Sequence, residues 1–118
     1  MQAVNIANKF SQFTEQWQPK RIATVNDYDV RIAKIEGEFV WHSHEDTDEM
    51  FLVVKGSMKI LLRDGEVSLN EGEVYVVPRG VEHKPVADRE CQILLIEPTD
   101  VVNTGTAGGE RTATVETL

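Results

Sequence analysis

Apolar and polar residues alternate along most of this chain with a period of two, which is typical of β-strands that bury one face. In the segment 28–33 (YDVRIA), Tyr, Val and Ile alternate with Asp, Arg and Ala, as expected for a half-buried strand. Asp64-Gly65 is a strong signal for a tight hairpin turn. A last apolar run, Cys91–Ile96, is stopped by Pro98. About eight or nine short strands with frequent turns indicate an all-β sandwich or barrel.

The beginning of the chain has a different period and is predicted to be helical. Four apolar residues recur at spacings of four, three and four: Ile6, Phe10, Phe13 and Trp17. These spacings put them on one face of a helix. Asn5 is suited to cap the start of this helix and Pro19 to end it, so residues 1–19 form an N-terminal helical segment. The apolar face is expected to pack against the sheet or against a second subunit.

The run Met50–Val54 is apolar at both strand parities. A strand with this pattern is covered on both faces, one by the interior and the other by a neighbouring element or subunit. Because a chain of 118 residues has little structure of its own to cover both faces, the sequence predicts a homodimer or a larger oligomer.

Length and composition indicate one domain over residues 1–118, with an ordinary apolar share of 41%. The net charge is −8 and no basic block is present, which disfavours binding to nucleic acid or to an anionic membrane surface. No apolar run approaches the ~20 residues of a membrane-spanning helix. The first residues do not resemble a signal peptide, and the single Cys91 forms no internal disulfide. These features favour a cytoplasmic protein.

All three histidines fall within one pattern, in which His42 and His44 precede Glu49 and His83 follows a Pro-Arg-Gly turn. In a strand, His42 and His44 share a face, roughly 6–7 Å apart. Glu49 follows a polar reversal and can return beside them on the next strand. Three imidazoles and one carboxylate suit Fe, Mn, Ni, Zn or Cu as divalent ions better than calcium or magnesium. We expect one divalent transition metal per chain.

Two motifs carry a family resemblance. The stretch from Gly37 to Gly56, with His42, His44 and Glu49 inside it, resembles the first conserved motif of the cupin superfamily. The stretch 72–83 (GEVYVVPRGVEH) resembles the second. The first motif is one residue shorter than usual between Gly37 and the first His. The second usually ends in Asn, where this chain has Ala87, a position that does not supply a metal ligand.

The resemblance implies a single small double-stranded β-barrel, or jelly roll, with a short N-terminal helix. By position it implies His42, His44, Glu49 and His83 as metal ligands. Within the superfamily, this chain resembles most the small single-domain bacterial proteins. In such proteins terminal arms often extend over a partner subunit. The Thr- and Gly-rich tail, residues 103–118, is therefore either flexible or such an arm.

Two classes of function remain open, and both imply a small-molecule ligand or substrate. The first is a metal-dependent enzyme, with dioxygenase- or isomerase-like chemistry, in which the catalytic residues are unknown. The second is a non-catalytic, metal-bearing binding or sensing module. An intact ligand set favours the enzyme, and the lack of an identifiable acid or base favours the module. Five further residues are candidates for cavity or substrate contacts, and each has a simple packing or surface role as its alternative: Glu38, Phe51, Tyr75, Arg79 and Cys91.

Overall fold

A computed structural model describes residues 2–118 of the chain. Within these residues it contains one short helix and eight strands. The helix α1 is Ile6–Phe10, and the strands are β1 (Lys20–Val25), β2 (Tyr28–Glu38), β3 (Glu49–Lys55), β4 (Ser57–Leu62), β5 (Gly65–Asn70), β6 (Val74–Val77), β7 (His83–Pro98) and β8 (Glu116–Thr117). The all-β, jelly-roll-like architecture expected from the sequence is confirmed.

The long strand β7 organises the sheet, which runs in the order β5-β4-β7-β2-β1-β8, with β3 paired to both β7 and β6. β7 pairs along most of its length with β2, while β4 and β3 pair with its first and second halves. The sheet is curved but its hydrogen bonding does not close into a ring. The predicted last strand, Cys91–Ile96, is only the end of β7, which begins at His83.

The hairpin predicted near Asp64-Gly65 forms, but one residue earlier. β4 and β5 pair from Ser57 with Asn70 to Leu62 with Gly65, so the connecting residues are Arg63 and Asp64. Gly65 is the first residue of β5 and does not adopt the positive φ that the turn signal assumed.

Two apolar clusters lie on opposite sides of the sheet. The larger one fills its concave side and includes Trp17, Phe39 and Phe51. The smaller one lies on the outer side, where Phe10 and Phe13 cover Ile32 and Leu94 of the sheet. Half-buried residues of β3 pack against this second cluster, so the N-terminal segment covers part of the outer face of the run Met50–Val54.

The prediction of a helical segment over residues 1–19 is wrong in its length. Asn5 caps the helix as expected, with its side chain accepting a hydrogen bond from the backbone N–H of Asn8 at 2.8 Å. The helix ends at Phe10, and Trp17 has a positive φ of 62°, which no right-handed helix contains. Phe10 and Phe13 pack on the outer side of the sheet whereas Trp17 packs on the inner side. The three aromatic residues therefore do not share the one helix face that the helical spacing predicts.

The half-buried strand predicted over residues 28–33 is present, but its polar side faces inward. Asp29 and Arg31 are both 0% exposed, whereas Tyr28 is 40% exposed. Arg31 Nε donates to Asp29 Oδ2 at 2.9 Å, and Arg21 Nε lies 2.8 Å from Asp29 Oδ1. Paired charges, rather than apolar residues, therefore fill this part of the interior.

The tail, which the sequence left as flexible or as an arm over a partner, lies against its own chain. Asn103 is buried, and its side chain accepts from the backbone N–H of Ala113 and donates to the carbonyl of Arg111. β8 pairs in parallel with β1, and Lys20 Nζ contacts Glu116 at 2.7 Å. The tail thus encloses one end of the sheet. No helix within residues 2–118 has the length and apolar character needed to cross a membrane.

Candidate metal centre

The two motif segments meet at one end of the concave side of the sheet. His42 lies in an extended segment between β2 and β3, outside the regular strands, and forms an isolated antiparallel bridge with His83 at the start of β7. The backbone N–H of each donates to the carbonyl of the other, at 3.1 and 2.9 Å. The sequence placed His42 and His44 on a strand, and the extended backbone of the segment gives the same alternation that a strand would.

The four predicted ligand residues converge. Potential ligand atoms of His42, His44, Glu49 and His83 all lie within 4.8 Å of one another, and all four residues are buried. Glu49 Oε1 is 3.2 Å from His44 Nε2 and 3.0 Å from His83 Nε2. The ring centroids of His42 and His44 are 5.1 Å apart. Donor atoms this close together can hold one metal ion.

Backbone carbonyls fix the orientation of two imidazoles. His42 Nδ1 lies 2.9 Å from the carbonyl oxygen of Val40, and His83 Nδ1 lies 3.0 Å from that of Val81. A carbonyl oxygen only accepts, so each Nδ1 carries the hydrogen and each Nε2 of a neutral ring keeps a free lone pair. In this tautomer Nε2 is available to bind a metal.

The electrostatics keep these side chains in the forms that bind cations. Burial, helped by the neighbouring His83, lowers the pKa of His42 to about 4, so this ring is neutral at pH 7. Burial alone would raise the pKa of Glu49, but the close imidazoles of His44 and His83 outweigh it and hold the pKa below its usual range. The centre therefore offers a neutral imidazole at His42 and an ionised carboxylate at Glu49.

One buried atom supports the fit to a metal directly. Among the described residues, His44 Nε2 has no hydrogen-bond partner of acceptable geometry although it is shielded from solvent. A buried polar atom without a partner costs about 1–3 kcal/mol. Coordination to a metal shared with Glu49 would satisfy it. The residues present fit a divalent transition metal.

The last part of the chain holds the ligand segment from outside. The backbone N–H of Thr106 donates to the carbonyl of Ser43 at 3.0 Å, and Thr106 Oγ1 accepts from the N–H of Ser43 at 3.2 Å. Gly105 packs so closely that a Cβ at this position would overlap the Ser43 carbonyl oxygen. The N–H of Gly80, in the second motif, donates to the carbonyl of His44 at 2.8 Å.

A cavity of about 40 Å³ adjoins the centre. Polar side chains of His42, Glu49, Glu97 and Asn103 face it, and its remaining wall is apolar or aromatic. Trp17 and Phe39, which stack with ring centroids 4.8 Å apart, form part of this wall. At ~10–15 Å³ for each water, the cavity has room for about three waters or for one end of a small molecule.

Glu97 is the site residue that the sequence reasoning missed. It is 2% exposed, lines the cavity and lies beside Glu49. Burial and the negative charge of Glu49 raise the pKa of Glu97 well above its usual range, against the opposing effect of Arg31. The signal was its strand parity, since it continues the buried series of Ile93 and Leu95.

The five further candidate residues lie in three places: the cavity wall, the core and the surface. Phe51 lines the cavity as expected. Glu38 is exposed and pairs with Lys84, and Arg79 is also exposed. Cys91 is fully buried, and burial raises the pKa of its thiol to about 11, which makes it unreactive.

The remaining residue, Tyr75, is half-buried against the larger apolar cluster, which makes it a packing residue.

A family model described as a cupin domain matches residues 28–97. The chain belongs to the cupin family. It is 39% identical over 64 residues to the uncharacterized protein YdbB of Bacillus subtilis (strain 168). That match covers 53% of this chain and 57% of YdbB, so the chain spans little more than half the length of this curated relative.

Two solved structures are similar to this chain over most of their length. One is a cupin-2 domain containing protein from Shewanella frigidimarina NCIMB 400, with 53% identity and a TM-score of 0.80, covering 80% of this chain and 93% of that one. The other is protein NMB1881 from Neisseria meningitidis, with 30% identity and a TM-score of 0.75, covering 83% of this chain and 100% of that one. The resemblance to small single-domain cupins, predicted from the two sequence motifs, is confirmed.

Proposed function

We propose that this cupin binds one divalent transition metal per chain through His42, His44, Glu49 and His83 and acts as a metal-dependent enzyme on a small organic substrate. The observation that carries the proposal is the buried cluster itself, whose ligand atoms lie within 4.8 Å of one another. Burying three imidazoles and a carboxylate without a partner ion is costly, and a bound metal offsets that cost.

The residues of the chain have separate roles in this proposal. The carbonyls of Val40 and Val81 hold two imidazoles in the ligand tautomer. The apolar cavity wall excludes water around a bound molecule, and Glu97 presents a carboxyl group to it. A bound metal supplies Lewis-acid or redox chemistry, of dioxygenase or isomerase type, that no side chain here supplies alone.

The ligand assignment is tested by metal content. Protein purified without chelators should carry about one transition metal per chain, and the double variant His44→Ala/His83→Ala should carry almost none, since two ligands bind far more weakly than four. Glu38→Gln, which alters an exposed carboxylate paired with Lys84, is the matched control and should keep the metal. Full occupancy in the double variant would exclude the assignment.

Activity is tested by reconstitution with Fe(II), Mn(II), Ni(II) and Zn(II) and by oxygen uptake against a panel of diols and diketones. Oxidative chemistry predicts very different rates among the metals and no turnover with zinc. Equal rates with all four metals would indicate Lewis-acid chemistry instead. Cys91→Ser should leave the rates unchanged because the thiol is buried and protonated.

A non-catalytic module that binds or senses a small molecule is the second candidate. The mostly apolar wall of the cavity favours it, because apolar contacts supply affinity without chemistry. Saturable ligand binding without turnover in any of the four metal forms would establish this function in place of the enzyme.

A further inference from the structure

Glu97 lies on the wall of the cavity, beside the candidate metal centre. β3 and β7 pair Met50 with Ile96 and Phe51 with Leu95, and this register places Glu97 opposite Glu49. Both carboxylic residues line the same cavity as His42. A molecule that enters the cavity and reaches the candidate metal centre therefore meets Glu97 as well.

Arg31 fixes Glu97 in place but does not itself reach the cavity. Arg31 Nη1 donates to Glu97 Oε2 at 3.3 Å. The other donors of the fully buried guanidinium are engaged by Asp29 and by three backbone carbonyls, those of Pro98, Thr99 and Val101. Glu97 is consequently held by a rigid anchor, and the positive charge of Arg31 is already shared between two carboxylic side chains.

The rest of the cavity defines what the ligand must be. Of the residues described, those that line it include no lysine or arginine. Without a metal in the centre, an anionic group placed against this wall would lose its hydration without gaining a cationic partner, which is unfavourable. The apolar wall instead suits hydrocarbon. When Glu97 carries a proton, its hydrogen bond with the neighbouring Glu49 engages that proton, so the group that Glu97 offers to the cavity is an acceptor oxygen.

We infer that Glu97 determines the specificity of this cavity by accepting a hydrogen bond from a hydroxyl group of a small, uncharged, mainly apolar molecule. The inference rests on the proposed function, since the hydroxyl compound is the ligand of the candidate metal centre. A buried carboxyl whose only role was to neutralise Arg31 would show no such selectivity, and this difference can be measured.

The test uses three probes of similar size: butan-2-ol, butan-2-one and butyrate. Zinc-loaded protein is titrated with each, and binding is followed through the methyl NMR signals of Ile93 and Leu95, which lie in the wall. Butan-2-ol should bind at least about threefold more tightly than butan-2-one to the zinc-loaded protein, and at least about threefold more tightly than butyrate to the metal-free protein, where no cation is available to the carboxylate. Zinc content is measured on every sample, and the titrations are repeated on metal-free protein. A failure of metal binding is therefore seen separately from a failure of selectivity.

Two variants at position 97 and one control complete the test. Glu97→Leu should bring the affinities for alcohol and ketone to within a factor of two, about 0.4 kcal/mol by RT ln 2. Glu97→Gln should shift preference toward the ketone, because its oxygen accepts from Arg31 and its N–H₂ group faces the cavity; this variant decides if the leucine variant does not fold. Glu38→Gln, an exposed carboxylate outside the cavity, should match the wild type. Each of four results would overturn the inference: equal affinity for alcohol and ketone in the wild type, tighter binding of butyrate than of butan-2-ol to the metal-free protein, no binding of any probe, or an unchanged preference in the Glu97 variants.

Discussion

Replacing Gly105 with alanine should destabilise the protein and loosen the candidate metal centre at the same time. Gly105 has a φ of +51°, and a Cβ there would overlap the carbonyl oxygen of Ser43 and lie 3.0 Å from His44 Nδ1. Two costs arise. An L-residue in the left-handed region costs about 1–2 kcal/mol, and overpacking against a backbone that is itself hydrogen-bonded costs about 1–3 kcal/mol.

Gly108→Ala is the matched control. Gly108 also has a positive φ, +62°, but a Cβ added there meets nothing within 4 Å. Both substitutions restrict the unfolded chain equally, so that effect cancels in the difference between them. From these folded-state costs we expect a loss of about 2–5 kcal/mol in the free energy of unfolding for Gly105→Ala and about 1–2 kcal/mol for Gly108→Ala.

Urea denaturation of both variants, monitored by tryptophan fluorescence, measures the difference. Competition with a zinc chelator should show weaker metal binding for Gly105→Ala only, because the added methyl group pushes against the segment that carries His44. If the two variants agree within about 0.5 kcal/mol, the ordinary spread of surface substitutions, the close packing of the tail on the ligand segment is refuted.

Two further predictions concern acid stability and assembly. The pKa of His42 is about 4 in the folded chain against 6.5 for an unperturbed imidazole. Between those pH values the unfolded chain binds a proton at His42 and the folded chain does not. The free energy of unfolding of the metal-free protein should therefore fall by up to about 3 kcal/mol as the pH falls through that window. Thermal melts in chelator check this, and a pH-independent melting temperature there contradicts it. We also propose a homodimer that covers Val74 and Val76, which are 53% and 45% exposed; light scattering near 13.3 kDa would contradict it.

The convergence of the candidate ligands could be predicted from the sequence because side-chain alternation needs only extended backbone. His42 and His44 lie outside regular strands, yet two residues of extended chain still separate side chains on one face. The return of Glu49 on the next strand followed from the polar reversal before it. The position of His83 depended on a long-range pairing with His42, which the motif spacing implied and the alternation alone did not.

The N-terminal helix shows where a local period misleads. The spacing of Phe10, Phe13 and Trp17 matches a helix, but a helix would keep all three on one face. Helix propensity is a weak preference. Burying one aromatic side chain in the core stabilises the fold by more than the helix propensity of a few residues does. Trp17 gains that burial inside the sheet, with its Nε1 donating to the carbonyl of Glu36 at 2.9 Å. The helix therefore ends at Phe10, before Trp17.

The reversed polarity of β2 has the same physical origin as the missed Glu97. Hydropathy predicts that charged residues face solvent, yet Asp29, Arg31 and Glu97 are all buried. They can be buried because the guanidinium of Arg31 pairs with both carboxylic side chains. The pairing of Asp29 with Glu97 across β2 and β7 brings two acids beside one arginine, and only the register reveals this. Removing one member would leave an uncompensated buried charge, at a cost of about 3–5 kcal/mol. A strand that carries acid and base at the parity of its neighbouring apolar residues therefore signals an interior ion network, and here that network ends at the wall of the cavity.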